Sequence, residues 1–180
     1  MLESEKDRRE HRAVVEAVLD TLAPYCARLS AGGGPALAST DSMWHLGTDI
    51  EGSLKDPATP CVELVAALHP TPAVCGFPRE AARTTIEALE PFDRDFYAGA
   101  IGWTNSAGDG EWHVSIRCAE IASSRVRLYA GAGIVEGSDA ATETRETAAK
   151  FAALLDALGI DAAALAGMLE EATRTAEGAT

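Results

Sequence analysis

The sequence lacks the features of a membrane, secreted or nucleic-acid-binding protein. No apolar run is long enough to span a bilayer, and the opening residues MLESEKDRREH are too charged for a secretory signal. The four cysteines form no CxxC pair and no legible disulfide framework. Lys and Arg number 15 against 28 Asp and Glu, and the net charge of −13 would repel nucleic acid and anionic membrane surfaces. We therefore expect a cytoplasmic protein that binds neither nucleic acid nor membrane.

Several common catalytic signatures are also missing. The sequence has no P-loop and no arguable Ser-His-Asp or Cys-His arrangement. The glycine pair in Gly131-Ala132-Gly133 lacks the third glycine and the parallel βαβ setting of a dinucleotide-binding fingerprint. His11, His45 and His113 show no metal-ligand spacing, so we interpret them as structural.

What the chain does contain is enough apolar sequence for an ordinary core. Hydrophobic residues make up 47% of the 180 residues, which suits one domain or part of a larger one. Because the predicted strands come in antiparallel runs, with the last three as a β-meander, we expect an α+β fold. Periodicity and turn signals predict helices at about Lys6–Leu29, Thr59–Leu68, Arg79–Glu90, Ala140–Leu158 and Asp161–Thr173, and extended structure at about Ala36–Leu54, Tyr97–Asn105, Glu111–Glu120 and Arg125–Ile134.

Two predicted helices carry carboxylates at helical spacing. Asp7 and Glu10 share one face of the first helix. Glu143, Glu146 and Lys150 share a face of a later helix. Together the two helices could offer four carboxylates to one hard cation such as Mg²⁺, which prefers oxygen ligands. The alternatives are a solvated acidic first turn and an ordinary Glu–Lys surface pair.

Three smaller features could contribute to a site for an anion. Gly131 and Gly133 would let backbone N–H groups approach an anion, although a strand end or bulge would also explain them. Arg117 lies inside a predicted strand, where its guanidinium suits a carboxylate or simply marks an edge strand. His69 opens the rigid segment His-Pro-Thr-Pro and is either a positioned side chain or a loop or core histidine.

Six segments occur in order along the chain: SEKDRREH, WHLGTDIEGSL, LHPTPAVCGFPRE, EPFDRDFYAGAIGW, GDGEWHVSIRCA and VRLYAGAGIVEGSDAATETRETAAKF. This series resembles the chorismate-utilising enzymes and is most similar to isochorismate synthases. The resemblance runs from about Leu2 to about Leu158. It implies the C-terminal part of an anthranilate synthase component I-like fold, a largely antiparallel sheet flanked by helices, with a partial chorismate-binding domain at 1–158 and a C-terminal helix and tail at 159–180.

One segment helps to divide this family by reaction. Ammonia-using members typically carry a PAGT- or PGGS-like stretch followed by GAPK, whereas this chain has HPTPAVCGFPR, which favours the water-using branch. The implied activity is the Mg²⁺-dependent isomerisation of chorismate to isochorismate, with water added at C2 and the 4-hydroxyl lost. That product would feed siderophore or menaquinone biosynthesis. Salicylate synthases belong to the same branch and remain an alternative.

The resemblance also implies roles for individual residues. Glu10 and Glu146 match metal-ligand glutamates, and Asp7 and Glu143 match neighbours that hold metal-bound water. Lys150, Arg117 and the backbone at Gly131 match groups that bind substrate carboxylates, while Tyr97, Val74, Ile116 and Tyr129 match the pocket wall. His69 matches a histidine near the substrate ring, where we expect at most an auxiliary role. Because Ile116 and Arg117 are adjacent, both can line one site only at a bulge or strand end.

The family's lysine base and glutamate acid lie upstream of the motif that starts here at Glu3. We therefore expect this chain to carry neither catalytic group and to have little activity alone. A complementary N-terminal fragment would then be a partner in addition to chorismate and isochorismate. A non-catalytic remnant, or a subunit of a split enzyme, is the alternative to a whole enzyme.

Overall fold

The computed structural model describes residues 5–39 and 44–161, which form helices and antiparallel strands. The α+β class predicted from the sequence is therefore confirmed. Within these ranges the strands form two-stranded sheets that pair β1 with β4, β2 with β3, β5 with β6 and β7 with β8. The elements are α1 (Glu5–Leu22), β1 (Cys26–Ala31), β2 (Ala36–Ser39), β3 (Trp44–Gly47), β4 (Ile50–Leu54), α2 (Cys61–Leu68), α3 (Pro72–Cys75), α4 (Arg79–Leu89), β5 (Ala100–Thr104), β6 (Gly110–Val114), β7 (Cys118–Ala122), β8 (Arg125–Tyr129) and α5 (Ala140–Ala157).

The described residues fall into two compact units. The first unit holds the residues up to Ile116 together with Gly133–Ser138. In it, α1 contacts α2, α3 and β1, and α2 contacts the β5–β6 hairpin. The second unit holds Arg117–Ala132 and the residues from Asp139 onward, and in it α5 packs against β8. The predicted division at residue 158 stays a prediction.

The first helix is shorter than the sequence pattern predicted. It ends at Leu22, so the expectation that it reaches Leu29 was wrong. Pro24 follows the helix end, and proline disrupts a helix because it lacks an N–H and clashes with the preceding turn. The ammonium of Lys55 donates to the carbonyls of Ala23 and Pro24 at 3.2 and 2.8 Å, which satisfies acceptors that the helix end leaves open.

The predicted three-stranded meander was also wrong. The expected strand Glu111–Glu120 is two strands, β6 and β7, interrupted between Val114 and Cys118. Arg117 lies in the interruption with a φ of 48°, which a continuous strand cannot accommodate. The result is two separate hairpins, β5–β6 and β7–β8. The break provides the strand end that a joint role for Ile116 and Arg117 requires.

Helices α2, α4 and α5 agree closely with the sequence prediction, whereas the short helix α3 was not predicted. Helix α5 begins after Asp139, whose carboxylate accepts hydrogen bonds from the backbone N–H of Thr142 at 2.9 Å and from its hydroxyl at 2.8 Å. The hydrogen bond from the Thr142 side chain is the main cause of the lowered pKa of Asp139, and the bond from the Thr142 backbone N–H is the second cause. Gly159 follows the helix with a φ of 70°, as expected of a helix stop. Apart from Asp161, the predicted helix Asp161–Thr173 lies outside the described residues.

Few described residues are fully buried. The buried apolar side chains are Cys75, Tyr129 and Leu155, and the buried charged one is Glu143. In contrast, Phe96 is 89% exposed and Ile121 is 71% exposed. Large exposed apolar side chains of this kind often mark surfaces that another element covers. None of the helices in the described ranges has the length and apolar character needed to cross a bilayer.

Candidate functional site

Three residues that the resemblance associates with the site meet in the second unit. The ammonium of Lys150 lies 2.7 Å from Oε1 of Glu146 and donates to the carbonyl oxygen of Gly131 at 2.7 Å. The Lys150 side chain is 20% exposed. Glu146 and Lys150 meet because residues four apart lie on one helix face. The bond to Gly131 adds a tertiary contact, which fixes the ammonium at the end of the segment that follows β8.

Glu143 lies one helical turn before Glu146, on the same face of α5. Its side chain is only 5% exposed, although it carries a carboxylate. Burying a carboxylate is unfavourable unless cations or hydrogen-bond donors compensate for the lost water. Helix α5 therefore presents two carboxylates and one ammonium along a single stripe, with the most N-terminal carboxylate inside the unit.

Tyr129 and Arg117 lie at the same end of the β7–β8 hairpin. Cys118 pairs with Tyr129, so Arg117 precedes one strand where Ala130 and Gly131 continue the other. Tyr129 is 6% exposed. Its hydroxyl donates to Glu120 at 3.3 Å and accepts from Arg127 at 3.3 Å. The hairpin thus positions a buried aromatic ring beside the segment that Lys150 contacts.

Glu10 and Gly133 are neighbours in the first unit. A Cβ added at Gly133 would lie 3.2 Å from Oε2 of Glu10, so glycine leaves room for this carboxylate. Lys6 lies 3.4 Å from Oε1 of Glu10, and Asp7 is one turn before it on α1. Nε2 of His11 lies 2.6 Å from the hydroxyl of Thr48, which ties α1 to the β3–β4 connection. Partial burial lowers the pKa of His11.

A cavity of about 710 Å³ in the first unit brings together three more of the predicted residues, His69, Val74 and Tyr97. His69 follows the last residue of α2, and Val74 belongs to α3. Ile116 lies outside this lining and is 41% exposed. A cavity of this size suits a small organic ligand.

Sequence reasoning missed Arg94, which lines the same cavity. Its guanidinium forms a two-pronged ion pair with Glu90, donates to the carbonyl of Val74 at 2.7 Å and lies 5.5 Å from the ring centre of Tyr97. The hydrogen bonds to Glu90 are the main cause of its raised pKa. The four-residue spacing of Glu90 and Arg94 signalled the ion pair, but nothing in the sequence signalled the contact with Val74.

The magnesium site remains a prediction. Among the residues that the structure describes, no group of three or more His, Cys, Asp and Glu side chains is arranged to hold a metal ion. Asp7 and Glu10 belong to the first unit, whereas Glu143 and Glu146 belong to the second. Each of these residues offers the carboxylate oxygens that the ion prefers, and Gly133 leaves space beside Glu10 within the first unit.

Comparison with known proteins identifies the class. A family model described as chorismate binding enzyme matches residues 1–159, and the chain therefore belongs to that family. The predicted resemblance is confirmed.

Several relatives of this chain are isochorismate synthases. DhbC of Bacillus subtilis is 52% identical over 161 residues, covering 89% of this chain and 40% of that protein. A crystal structure of Bacillus anthracis DhbC, described as 2,3-dihydroxybenzoate-specific, has a TM-score of 0.86 and 52% identity over 89% of this chain and 43% of that chain. MenF of Escherichia coli, described as menaquinone-specific, has a TM-score of 0.74 and 39% identity over 84% of this chain and 35% of that chain. This chain therefore spans less than half the length of these relatives.

Proposed function

We propose that this chain supplies part of the chorismate site of a Mg²⁺-dependent isochorismate synthase. The proposal rests on the position of the Lys150 ammonium, which is held between Glu146 and the carbonyl of Gly131. Helix α5, which carries Lys150, also carries the buried Glu143. A fixed cation beside hard oxygen ligands suits a dianionic substrate bound together with a metal ion. The names of the relatives agree with this activity.

Electrostatics makes local cations necessary at such a site. The chain has a net charge of −13, and chorismate carries two carboxylates, so the protein as a whole repels its proposed substrate. Lys150 and Arg117 would each donate charge-assisted hydrogen bonds to a substrate carboxylate. Bound Mg²⁺, held by Glu10 and Glu146, would add positive charge that polarises the ring-bound carboxylate. Asp7 and Glu143 would hold water on the ion.

The resemblance assigns the pocket wall to four residues. Val74 and Tyr97 would contact the substrate together with Ile116 and Tyr129, and His69 would lie near the ring in an auxiliary role. Tyr129 supports such a wall, because its hydroxyl is already bonded to Glu120 and Arg127. Its buried ring is therefore held in place before any ligand arrives.

Proton transfer requires groups that we assign to a complementary segment. The proposed reaction needs a base to activate water and an acid to protonate the leaving hydroxyl, which together contribute on the order of 10²–10⁴-fold. We propose that a lysine and a glutamate on an N-terminal segment of the complete enzyme supply them. In support, the chain spans 40% of the Bacillus subtilis protein. The 180 residues alone should then bind chorismate but turn it over very slowly.

Calorimetry with chorismate, in the presence and absence of Mg²⁺, tests this proposal. We expect binding heat that depends on the metal, and loss of that dependence in Glu146→Gln, which keeps the side-chain shape but removes the charge. Asp156→Asn is a matched control, because Asp156 lies exposed on the same helix. Heat that is unchanged by Mg²⁺ would favour the non-catalytic remnant.

Identifying the final product and the pathway requires experiments on the complete enzyme. Chromatography of its reaction should give isochorismate, and salicylate in its place would contradict the proposal. Relatives are described as both 2,3-dihydroxybenzoate-specific and menaquinone-specific, so we leave the pathway open between siderophore and menaquinone biosynthesis. We expect the enzyme to act in the cytoplasm.

A further inference from the structure

Arg94 connects three segments around the 710 Å³ cavity of the first unit. Its Nε lies 2.7 Å from Oε2 of Glu90, the residue that directly follows α4. Its Nη1 donates to the carbonyl of Val74 in α3 at 2.7 Å. Its charge lies 5.5 Å from the ring centre of Tyr97, within the range of a cation–π contact. The side chain is 25% exposed, so these contacts are partly shielded from water.

The segment that carries Tyr97 needs such an anchor. Asp95 and Ala98 have φ angles of 45° and 64°, a region that is unfavourable for residues other than glycine. Such backbone persists only where surrounding contacts fix it. The N–H of Tyr97 bonds to the carbonyl of Arg94 at 2.7 Å, and the N–H of Ala98 bonds to Ser115 at 2.7 Å. Arg94 thus contributes a backbone acceptor as well as its guanidinium.

We infer that Arg94 is a positioning residue, which holds the backbone at Val74 and the ring of Tyr97 in place as two walls of one ligand cavity. Glu90 neutralises the charge of the guanidinium. Arg94 therefore holds the two cavity walls in place and does not itself bind the anion. The planar fork is essential, because it serves Glu90 and Val74 at once, whereas a lysine ammonium lacks that geometry. The identity of the ligand as chorismate rests on the proposed function.

Hydrogen exchange read by mass spectrometry on the 180-residue chain tests the inference. In Arg94→Lys we expect amides in 72–76 and 95–99 to exchange about tenfold faster, equivalent to about 1.4 kcal/mol of local opening. Arg28→Lys is the control, because Arg28 is an exposed arginine of the same unit that donates to the hydroxyl of Ser53 at 3.4 Å and lies outside the cavity lining. It should leave both segments unchanged. Glu90→Gln, which weakens the ion pair with a smaller change in shape, should accelerate the same two segments.

Binding of chorismate provides the second readout. With Mg²⁺ present, Arg94→Lys should weaken the Kd about tenfold and Arg28→Lys should not. Unchanged exchange in both segments of Arg94→Lys and Glu90→Gln, or equal acceleration in Arg28→Lys, would overturn the inference. If the unmodified chain binds no chorismate, the proposed function fails, while the exchange data still decide whether Arg94 holds the walls. If that chain binds and Arg94→Lys binds equally well, the positioning role fails alone.

Discussion

Gly133 controls the space beside a proposed metal ligand. A methyl group there would lie 3.2 Å from Oε2 of Glu10, so the carboxylate would have to move by a few tenths of an ångström. We expect Gly133→Ala to weaken Mg²⁺-dependent chorismate binding about tenfold, the usual effect of disturbing the support of a metal ligand. Calorimetry would measure it.

The control for that variant is Gly32→Ala, where a Cβ would lie 3.9 Å from the nearest atom, the carbonyl oxygen of Asp49. It removes a glycine at no cost in space. Equal affinities for Gly133→Ala and the unmodified chain would mean that the carboxylate of Glu10 does not contact the metal.

Contacts between residues of one helix were predictable from the sequence, whereas contacts between segments that are distant in the sequence were not. The Glu146–Lys150 pair follows from a four-residue spacing. The contact of Lys150 with Gly131 joins residues 19 positions apart, and that of Arg94 with Val74 joins residues 20 apart. Only the motif resemblance indicated Lys150 and Gly131 as members of one site, and it assigned no role to Arg94.

At the scale of elements, the β5–β6 hairpin depends on a glycine opposite a tryptophan. A Cβ at Gly102 would lie 2.2 Å from the carbonyl oxygen of Glu111 and 2.6 Å from the ring of Trp112. Because the first contact is with backbone, the strands themselves would have to separate. We expect Gly102→Ala to destabilise the chain by about 1–3 kcal/mol, as overpacking usually does, in urea unfolding followed by tryptophan fluorescence.

Gly47→Ala is the control for Gly102, since Gly47 also lies in a strand and its added Cβ would meet only the Cβ of Ala38 at 3.8 Å. This variant should retain the stability of the unmodified chain within about 0.5 kcal/mol. A loss as large as that of Gly102→Ala would show that strand glycines matter here for reasons other than the contact with Trp112.

The start of α5 should give the helix a dependence on pH. Thr142 lowers the pKa of Asp139 in the folded chain, so the stabilisation is present above the unfolded pKa and is lost as pH falls through the folded value. Circular dichroism should show α5 helicity falling below about pH 4. In Asp139→Asn that part of the acid dependence should disappear, because the amide still accepts a hydrogen bond but does not titrate. An identical acid profile for both proteins would contradict this assignment.

Local sequence signals predicted most helices and strands, but they did not predict the boundaries that depend on contacts with the rest of the fold. Apolar periodicity and the stop at Gly159 located α5 to within one residue of the structure. The same periodicity extended the predicted first helix beyond its observed end, because the sequence from Val14 to Leu29 remains apolar enough to resemble a helix. In the structure, Cys26–Ala31 instead forms a strand that pairs with β4. Local signals did not show the break at Arg117, since a positive φ in an arginine is imposed by the surrounding fold, although the roles implied for Ile116 and Arg117 required a bulge or strand end there.

At the scale of the whole molecule, the β7–β8 hairpin presents one apolar face. The strand register places Ala119, Ile121, Val126 and Leu128 on one side and Glu120, Arg125 and Arg127 on the other. Ile121 is 71% exposed and Val126 48% exposed in this chain. A two-stranded ribbon with such a face is marginal by itself, so we expect the complementary segment of the complete enzyme to cover it.

Co-expression tests this expectation. The 180-residue chain, produced together with the part of Bacillus subtilis DhbC that it does not match, should copurify with it and give Mg²⁺-dependent isochorismate formation. Ile121→Asp should abolish both, because an unpaired carboxylate would have to be buried in the joined face. Ala122→Asp adds the same charge to the opposite, polar face of the hairpin, and it should leave copurification and activity intact. Equal complementation by the two variants would mean that the apolar face remains open in the complete enzyme, and that its exposed side chains serve some purpose other than joining the two parts.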